Sequence, residues 1–284
     1  MSVTVNLPRA AGISLKPDHY RAALDDEIPD LWFEVHPENY MVDGGPRLAW
    51  LNALREERAL SFHGVGASLG GLDPFDKDHL LGLKRLIDRF QPEQVSEHAT
   101  FSAHDGRYHA DLLPLPRTGE AIRHLSSRIS DFQHAIGRQI LIENPTNYLP
   151  FASELDEPDF LVEVARQSGC GLLIDLNNVW VSARNVGLDP SRYIQGIPPG
   201  LVGEVHVAGH SEDPELGAAF LIDSHDAPVA ADVFDLLEAA LRQWGPKPVL
   251  VERDGNIPSF EELMAEREAA QVRVRSARKC HAIA

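Results

Sequence analysis

The residues of this 284-residue chain that could do chemistry are carboxylates and imidazoles placed at the ends of apolar runs. His63 closes the run in "ALSFHGV", His98 in "PEQVSEHA", Glu143 in "QILIENP" and Asp175 in "GLLIDLN"; His206 lies in "VGEVHVAG" and Glu252 in "KPVLVERD". Imidazole and carboxylate donors without thiolates suit zinc, iron or manganese. A β-strand sends alternate side chains to opposite faces. Ser61 then shares a face with His63, Ser96 with His98, Leu141 with Glu143, Leu173 with Asp175 and Leu250 with Glu252. One choice of facing turns all these ends to the same place. Carboxylates gathered there would raise one another's pKa and lose hydration, and bound cations remove that conflict. The set exceeds what one metal needs, so it implies two or three, with Glu143 and Asp175 as bridging candidates. Asp223 and His225 in "LIDSHDAPV" are two apart and would project together from an extended segment, a pair suited to an outer metal.

Each of these residues has a plainer reading when taken singly. His63 or His98 could be a hydrogen-bonded core residue, Glu143 a helix cap, and Asp223 with His225 part of a surface loop. The coincidence of so many ligand-type strand ends at matching parity favours the metal reading. Glu34, His36, Glu38, Asn39 and Tyr40 in "WFEVHPENY" are placed to line the same pocket, and the last four are candidate substrate contacts. Glu204 shares parity with His206 and should lie deeper, with Lys16 as its expected ion-pair partner. His210 is a candidate substrate contact or a group that supports a ligand. His104 and His109 fall in a loop and read as solvated.

These residues need elements to position them. Two further strand-like segments, "AAGISLK" and "LWFEVHP", bring the total to eight, with amphipathic helical stretches between most of them. Strands alternating with helices imply a parallel sheet. Eight such units in this length imply a closed (β/α)8 TIM-like barrel of one domain, where functional groups collect at the C-terminal ends of the strands. A doubly wound open sheet is disfavoured, because the Gly-rich "GVGASLGG" follows the third strand with the wrong spacing for a dinucleotide fingerprint. The barrel is expected over residues 1–272, with a basic, frayed tail at 273–284. "FSAHDGRYHADLLPLPRTG" and "GHSEDPELGAAFLIDSHDAPV" read as long loops, and loops of that length are often functional.

Composition narrows the classes. A formal net charge of −17 repels phosphate backbones and argues against nucleic-acid binding. Cys170 and Cys280 lie too far apart in sequence for a disulfide framework, which fits a reducing cytoplasm. The N-terminal stretch lacks the pattern of a secretory signal, and no apolar run reaches the length of a membrane span.

The motifs "FEVHPENYM", "LSFHGVGASLG", "VSEHATFS", "LIENPTNY", "LIDLNNVWVSARN", "EVHVAGH", "LIDSHDAPV" and "VLVERDGNIP" occur in one order along the chain. Through them it resembles the multinuclear non-haem iron-dependent oxidases over about residues 10–270. The resemblance implies two or three irons in a TIM-like barrel. One would be held by Glu143, Asp175, His206 and Glu252, a second by His63, His98 and Glu143, and a third by Asp223 and His225 with help from Asn178. It also implies an enzyme that uses dioxygen at a mixed-valent iron pair to oxidise cysteine residues of a ribosomally made precursor peptide. A small companion protein would recruit that peptide. Glu143, Asp175 and His210 are then the catalytic candidates. Two other readings compete. One is a xylose-isomerase-like barrel, an isomerase or endonuclease using zinc or manganese; the acidic charge opposes the nuclease. The other is a non-catalytic metal-binding partner or chaperone for a peptide.

Overall fold

The computed structural model describes residues 3, 5–151 and 153–283. Its first half runs β1 (Ala11–Ser14), α1 (Tyr20–Asp25), β2 (Phe33–Val35), α2 (Pro46–Glu57), β3 (Leu60–His63), α3 (Lys77–Phe90), β4 (Gln94–His98), β5 (Thr100–His104), β6 (Arg107–Pro114) and α4 (Gly119–Ile136). The second half runs β7 (Leu141–Glu143), α5 (Glu157–Ser168), β8 (Gly171–Asp175), α6 (Leu176–Val186), α7 (Pro190–Gly196), β9 (Val202–Val207), β10 (Ser211–Asp213), β11 (Gly217–Ile222), α8 (Ala231–Trp244), β12 (Val249–Val251) and α9 (Phe260–Ile283). Eight of the strands close a parallel barrel in the order β1-β12-β9-β8-β7-β4-β3-β2. The expected single-domain TIM-like barrel is the fold.

Local chemistry explains the helix limits. Asp76 caps α3 by accepting from the backbone N–H groups of Asp78 and His79, and Thr118 caps α4 through Ala121 N. α4 and α5 stop at Gly137 and Gly169, with φ of 79° and 75°, the left-handed conformation that glycine adopts without a Cβ clash. Outward-facing strand residues such as Ile13, Phe33, Phe62, Ile142, Ile174, Val205 and Val251 are buried in the core shared with the helices. The other parity points into the barrel. There, Leu7, Trp32 and Leu250 form a separate apolar plug, and Gly12 is required beside it, because a Cβ would lie 2.4 Å from the Trp32 ring. Above the plug the interior turns polar.

The structure departs from the sequence-based expectations in three places, the tail and the two long loops, and adds one helix not expected from the sequence. Residues 273–283 do not form a frayed tail; they continue α9, whose Leu263, Arg267, Ala270, Val274 and Ala277 are buried at helical spacing, and residue 284 lies outside the described residues. Arg267 Nε donates to Ala11 O at 2.8 Å, and Gln271 Oε1 accepts from Ala11 N at 2.7 Å, so α9 clamps β1. The two long loops each contain an antiparallel hairpin, β5–β6 and β10–β11. Asp105 and Gly106 join the first at φ of 49° and 68°, as a two-residue hairpin turn requires. "LNNVWVSARNV" is a helix, α6, that starts directly at the end of β8.

Candidate metal centre

Register brings the ligand-type residues together. His98 lies opposite Glu143 across β4–β7, and Asp175 opposite His206 across β8–β9. His206 lies opposite Leu250, which places Glu252 one inward position higher. His63, Glu143, Asp175, His206 and Glu252 are all buried to 3 % exposure or less. Glu143, Asp175, His206 and Glu252 each offer one atom within 4.8 Å of all the others, and so do His63, Glu143 and His206.

The hydrogen bonds show what these groups are set up to do. Ser96 Oγ donates to Phe62 O at 3.4 Å, so at 2.8 Å it accepts from His63 Nδ1. His98 Nδ1 lies 3.1 Å from the carbonyl of Gly64, which can only accept. In neutral rings both N–H groups are thereby used, and both Nε2 lone pairs face Glu143 Oε2, at 3.0 and 2.9 Å. Neither contact has the angles of a hydrogen bond, and Oε2 is left without a partner. Lone pairs meeting a carboxylate oxygen in a buried space repel unless a proton or a cation lies between them. Asp175 Oδ2 is orphaned in the same way; its Oδ1 accepts from Asn178 N at 2.6 Å and caps α6. The donor set and the orphaned atoms fit a bound metal.

Charge gives the same picture. Burial pushes the Asp175 carboxyl up to about 7, against the pull of His225. Burial also pushes Glu204 up to about 7, helped by Glu34 beside it. Burial opposes the charge on His98, yet Glu143 holds it well above the ordinary imidazole range. Without a cation, the cluster takes up protons to balance its carboxylates. No Lys or Arg among the described residues pairs with Glu34, Glu143, Asp175, Glu204 or Glu252; Lys16 pairs instead with Asp254 at 2.6 Å. This corrects the expected Lys16–Glu204 pair. Lys16 lies two residues past the end of β1, at the mouth, whereas Glu204 is one inward position below His206. Glu204 meets Ser61 and His206.

The outer pair assembles beside this cluster. His225 Nε2 is 2.8 Å from Asp223 Oδ1, and its Nδ1 is 3.4 Å from Glu252 Oε2. His225 holds φ at 48°, a strained region that its backbone N–H to Gly209 O and its carbonyl to Asp254 N keep in place. Asn178 lies alongside, but its amide is engaged with Thr146 Oγ1 and Asn144 O, so in this arrangement it supports Asp223 through Thr146.

A cavity of about 460 Å³ opens over these groups, lined among others by His63, His98, Glu143, Asn178, Asp223, His225 and Glu252. His36, Glu38 and Asn39 line it too. Glu38 Oε1 is committed to the N–H groups of Val65 and Gly66 and to His79, so it shapes the loop after β3. Tyr40 is outside this lining; its hydroxyl bonds Tyr20 in a neighbouring pocket. His210 is also outside and reaches the centre indirectly, through Asn177, whose amide donates to Asp223 Oδ1 at 2.6 Å. His104 and His109 are exposed, as expected. Sequence reasoning missed Asp254, Thr146, Tyr148 and Tyr108. Asp254 follows Glu252 by two, the same parity signal that found the others.

The β6 side of the cavity comes from Tyr108, Ala110, Asp111 and Leu112. Tyr148 closes another side, its hydroxyl accepting from Asp223 N at 3.0 Å and pushed up to about 12 by burial and by Asp223. The opening is thus bounded by a hairpin on one side and is acidic within.

Known proteins place this architecture. A crystal structure of a xylose isomerase-like TIM barrel protein from Mycobacterium smegmatis, in complex with magnesium, superposes with a TM-score of 0.60 at 16% identity, covering 97% of this chain and all of that one. That likeness is one of fold. A UPF0276 protein of Caulobacter sp. strain K31 is 52% identical over 261 residues, spanning 92% of this chain and 94% of its own length. A UPF0276 protein of Bordetella parapertussis is 51% identical over 263 residues, spanning 92% and 91%. The family model described as RiPP precursor modification enzyme MbnB/TglH/ChrH matches residues 10–275, taking in every strand of the barrel. The chain belongs to this family of enzymes that modify ribosomally synthesised precursor peptides.

Proposed function

We propose that this enzyme holds two or three irons and uses dioxygen to oxidise a cysteine of its precursor peptide. One observation carries the metal part: Glu143 lies between the aimed Nε2 atoms of His63 and His98 on one side and the Asp175, His206 and Glu252 donors on the other. A carboxylate placed so serves as a bridge. Glu143, Asp175, His206 and Glu252 would hold one ion, His63, His98 and Glu143 a second, and Asp223 with His225 a third. Iron supplies oxygen activation and electron transfer when bound, chemistry that no side chain here supplies.

The chain's own residues handle the rest. The peptide would enter past β6, where the cavity lining of Tyr108, Ala110 and Leu112 would offer it apolar contact. His36 lies at the entrance, where Asp254 holds its imidazole up at about 9, against the effect of burial. It can therefore be charged near neutrality and attract a thiolate. His210, Asn177 and Asp223 form a hydrogen-bonded chain from a half-buried position to the outer pair, through which His210 would fix the Asn177 amide and so orient Asp223. A small companion protein would deliver the peptide, and the two free thiols, Cys170 and Cys280, fit a cytoplasmic setting.

The test is anaerobic purification with elemental analysis, followed by dioxygen uptake with the cysteine-bearing peptide encoded beside the gene. Two to three irons per chain and peptide-dependent uptake are expected. Zinc or manganese in their place, with no uptake, would favour the isomerase-like reading.

A further inference from the structure

We propose that Glu34 and Glu204 are positioning residues that select which nitrogen of His206 faces the metal centre. The proposal rests on the metal-binding reading above. His206 is fully buried, and its ring stands between two sets of carboxylates. On the upper side, Nδ1 is hydrogen-bonded to Glu252 Oε2 at 3.0 Å and lies 3.9 Å from Glu143 Oε1. On the lower side, Nε2 is 3.4 Å from Glu34 Oε1 and 3.5 Å from Glu204 Oε1. Glu34 comes from β2 and Glu204 from β9, so barrel closure itself brings them together. Ser61 Oγ, opposite Glu34 across β2–β3, approaches Glu204 Oε2 at 3.4 Å. Glu34 Oε2, Glu204 Oε1 and His206 Nε2 itself have no hydrogen-bond partner among the described residues.

A neutral imidazole carries one N–H and one lone pair. A metal on Nδ1 needs the proton on Nε2, where Glu34 Oε1 and Glu204 Oε1 stand 3.4 and 3.5 Å away, close enough to accept after a small turn of the ring. The other tautomer keeps its N–H on Glu252, the hydrogen bond present here, and must give it up when Glu252 and Nδ1 both turn to a metal; its lone pair then faces two carboxylates. The floor pair therefore favours the form whose Nδ1 lone pair points at the cluster. His63 and His98 are arranged the other way round. Their Nδ1 atoms meet a hydroxyl and a carbonyl, and Nε2 points inward. His206 has two carboxylates behind it at 3.4 and 3.5 Å, whereas His98 has one, Glu97, at 3.9 Å from Nδ1, and His63 a hydroxyl; a carboxylate makes an imidazole a stronger donor and holds its orientation. The two ion positions sharing Glu143 are thereby unequal: the one containing His206 favours the more highly charged ion.

The experiment uses the full chain, purified without oxygen. Zinc, a diamagnetic probe, is loaded into protein carrying ¹⁵N-histidine, and the bound nitrogens are assigned by NMR. Nδ1 is expected to be the metal-bound atom of His206, and Nε2 that of His63 and His98. Glu34→Gln and Glu204→Gln can each turn an amide N–H toward Nε2 and favour the wrong tautomer. Each should weaken zinc and Fe(II) binding at the Asp175/His206/Glu252 position about 10- to 100-fold. Binding at the His63/His98 position should change less, and Glu204→Asp should recover part of the loss. In the metal-free chain each Gln variant removes a carboxylate facing the His206 imidazolium, so some loss of melting temperature is expected and affinities are compared on folded protein. A role in folding alone predicts a lower melting temperature and unchanged affinity. Metal on Nε2 of His206, an ion lodged between Glu34 and Glu204, or Gln variants that bind as tightly as the parent would overturn the proposal while leaving the metal centre standing. A parent chain that takes up no metal would overturn both.

Discussion

At the scale of single residues, the centre was legible because one physical rule, alternation along a strand, selects among many possible ligands. His63, His98, Glu143, Asp175, His206 and Glu252 all come from inward positions of barrel strands or the residue just beyond, and the structure brings them into one buried cluster. The same rule points to Asp254, two past Glu252. It does not settle Asn178 or Tyr40, whose partners Thr146 and Tyr20 lie on other elements, nor Lys16, whose height in the barrel depends on where β1 stops. Two predictions belong here. Glu143→Ala should empty two ion positions together, whereas His225→Ala should empty only the outer one, both read by metal content per chain. Equal losses in the two variants would contradict the bridge. Asp175 both caps α6 through Oδ1 and presents Oδ2 to the centre. Asp175→Asn should lose metal yet keep a cap, while Asp175→Ala should unfold more easily than Asp175→Asn by about 1 kcal/mol in urea when both are metal-free.

Among the elements, the barrel strands were plain in the sequence as short apolar runs, but the pieces around the mouth were not. α6 was hidden because Asn177 and Asn178 in its first turn look like loop residues; they are there because a helix begins where the ligand strand ends. The β5–β6 hairpin was signalled by the Asp105–Gly106 pair, overlooked within a polar, unpatterned stretch. α9 carried a legible stripe at Leu263, Ala270, Val274 and Ala277 that the surrounding Arg and Glu residues obscured. If β6 guides the peptide, Gly106→Val should disturb the hairpin, since a β-branched residue is strained at φ of 68°. KM for the peptide should rise several-fold with iron content unchanged. An unchanged KM would remove β6 from peptide binding.

The whole molecule places a dense acidic centre inside a chain of net charge −17, and that charge must be balanced locally by imidazolium or by metal. Among the described residues no helix is long and apolar enough to cross a membrane. Metal and protons compete for the same atoms. Carboxylates hold His98, His206 and His225 well above the ordinary imidazole value against the effect of burial, so each ring must release a proton before it can bind. Iron affinity should therefore rise with pH through neutrality and fall steeply as the medium becomes acidic, measurable by titration at a series of pH values. Chelation should lower the melting temperature, because only the folded barrel assembles the ligands. The central claim is that Glu143 joins two iron positions at the barrel mouth. Anomalous diffraction at the iron edge, from crystals grown without oxygen, tests it most directly. The account predicts two strong peaks flanking Glu143, one beside His63 and His98, the other beside Asp175, His206 and Glu252. A map without iron at either position, or with a single ion that Glu143 does not touch, would contradict it.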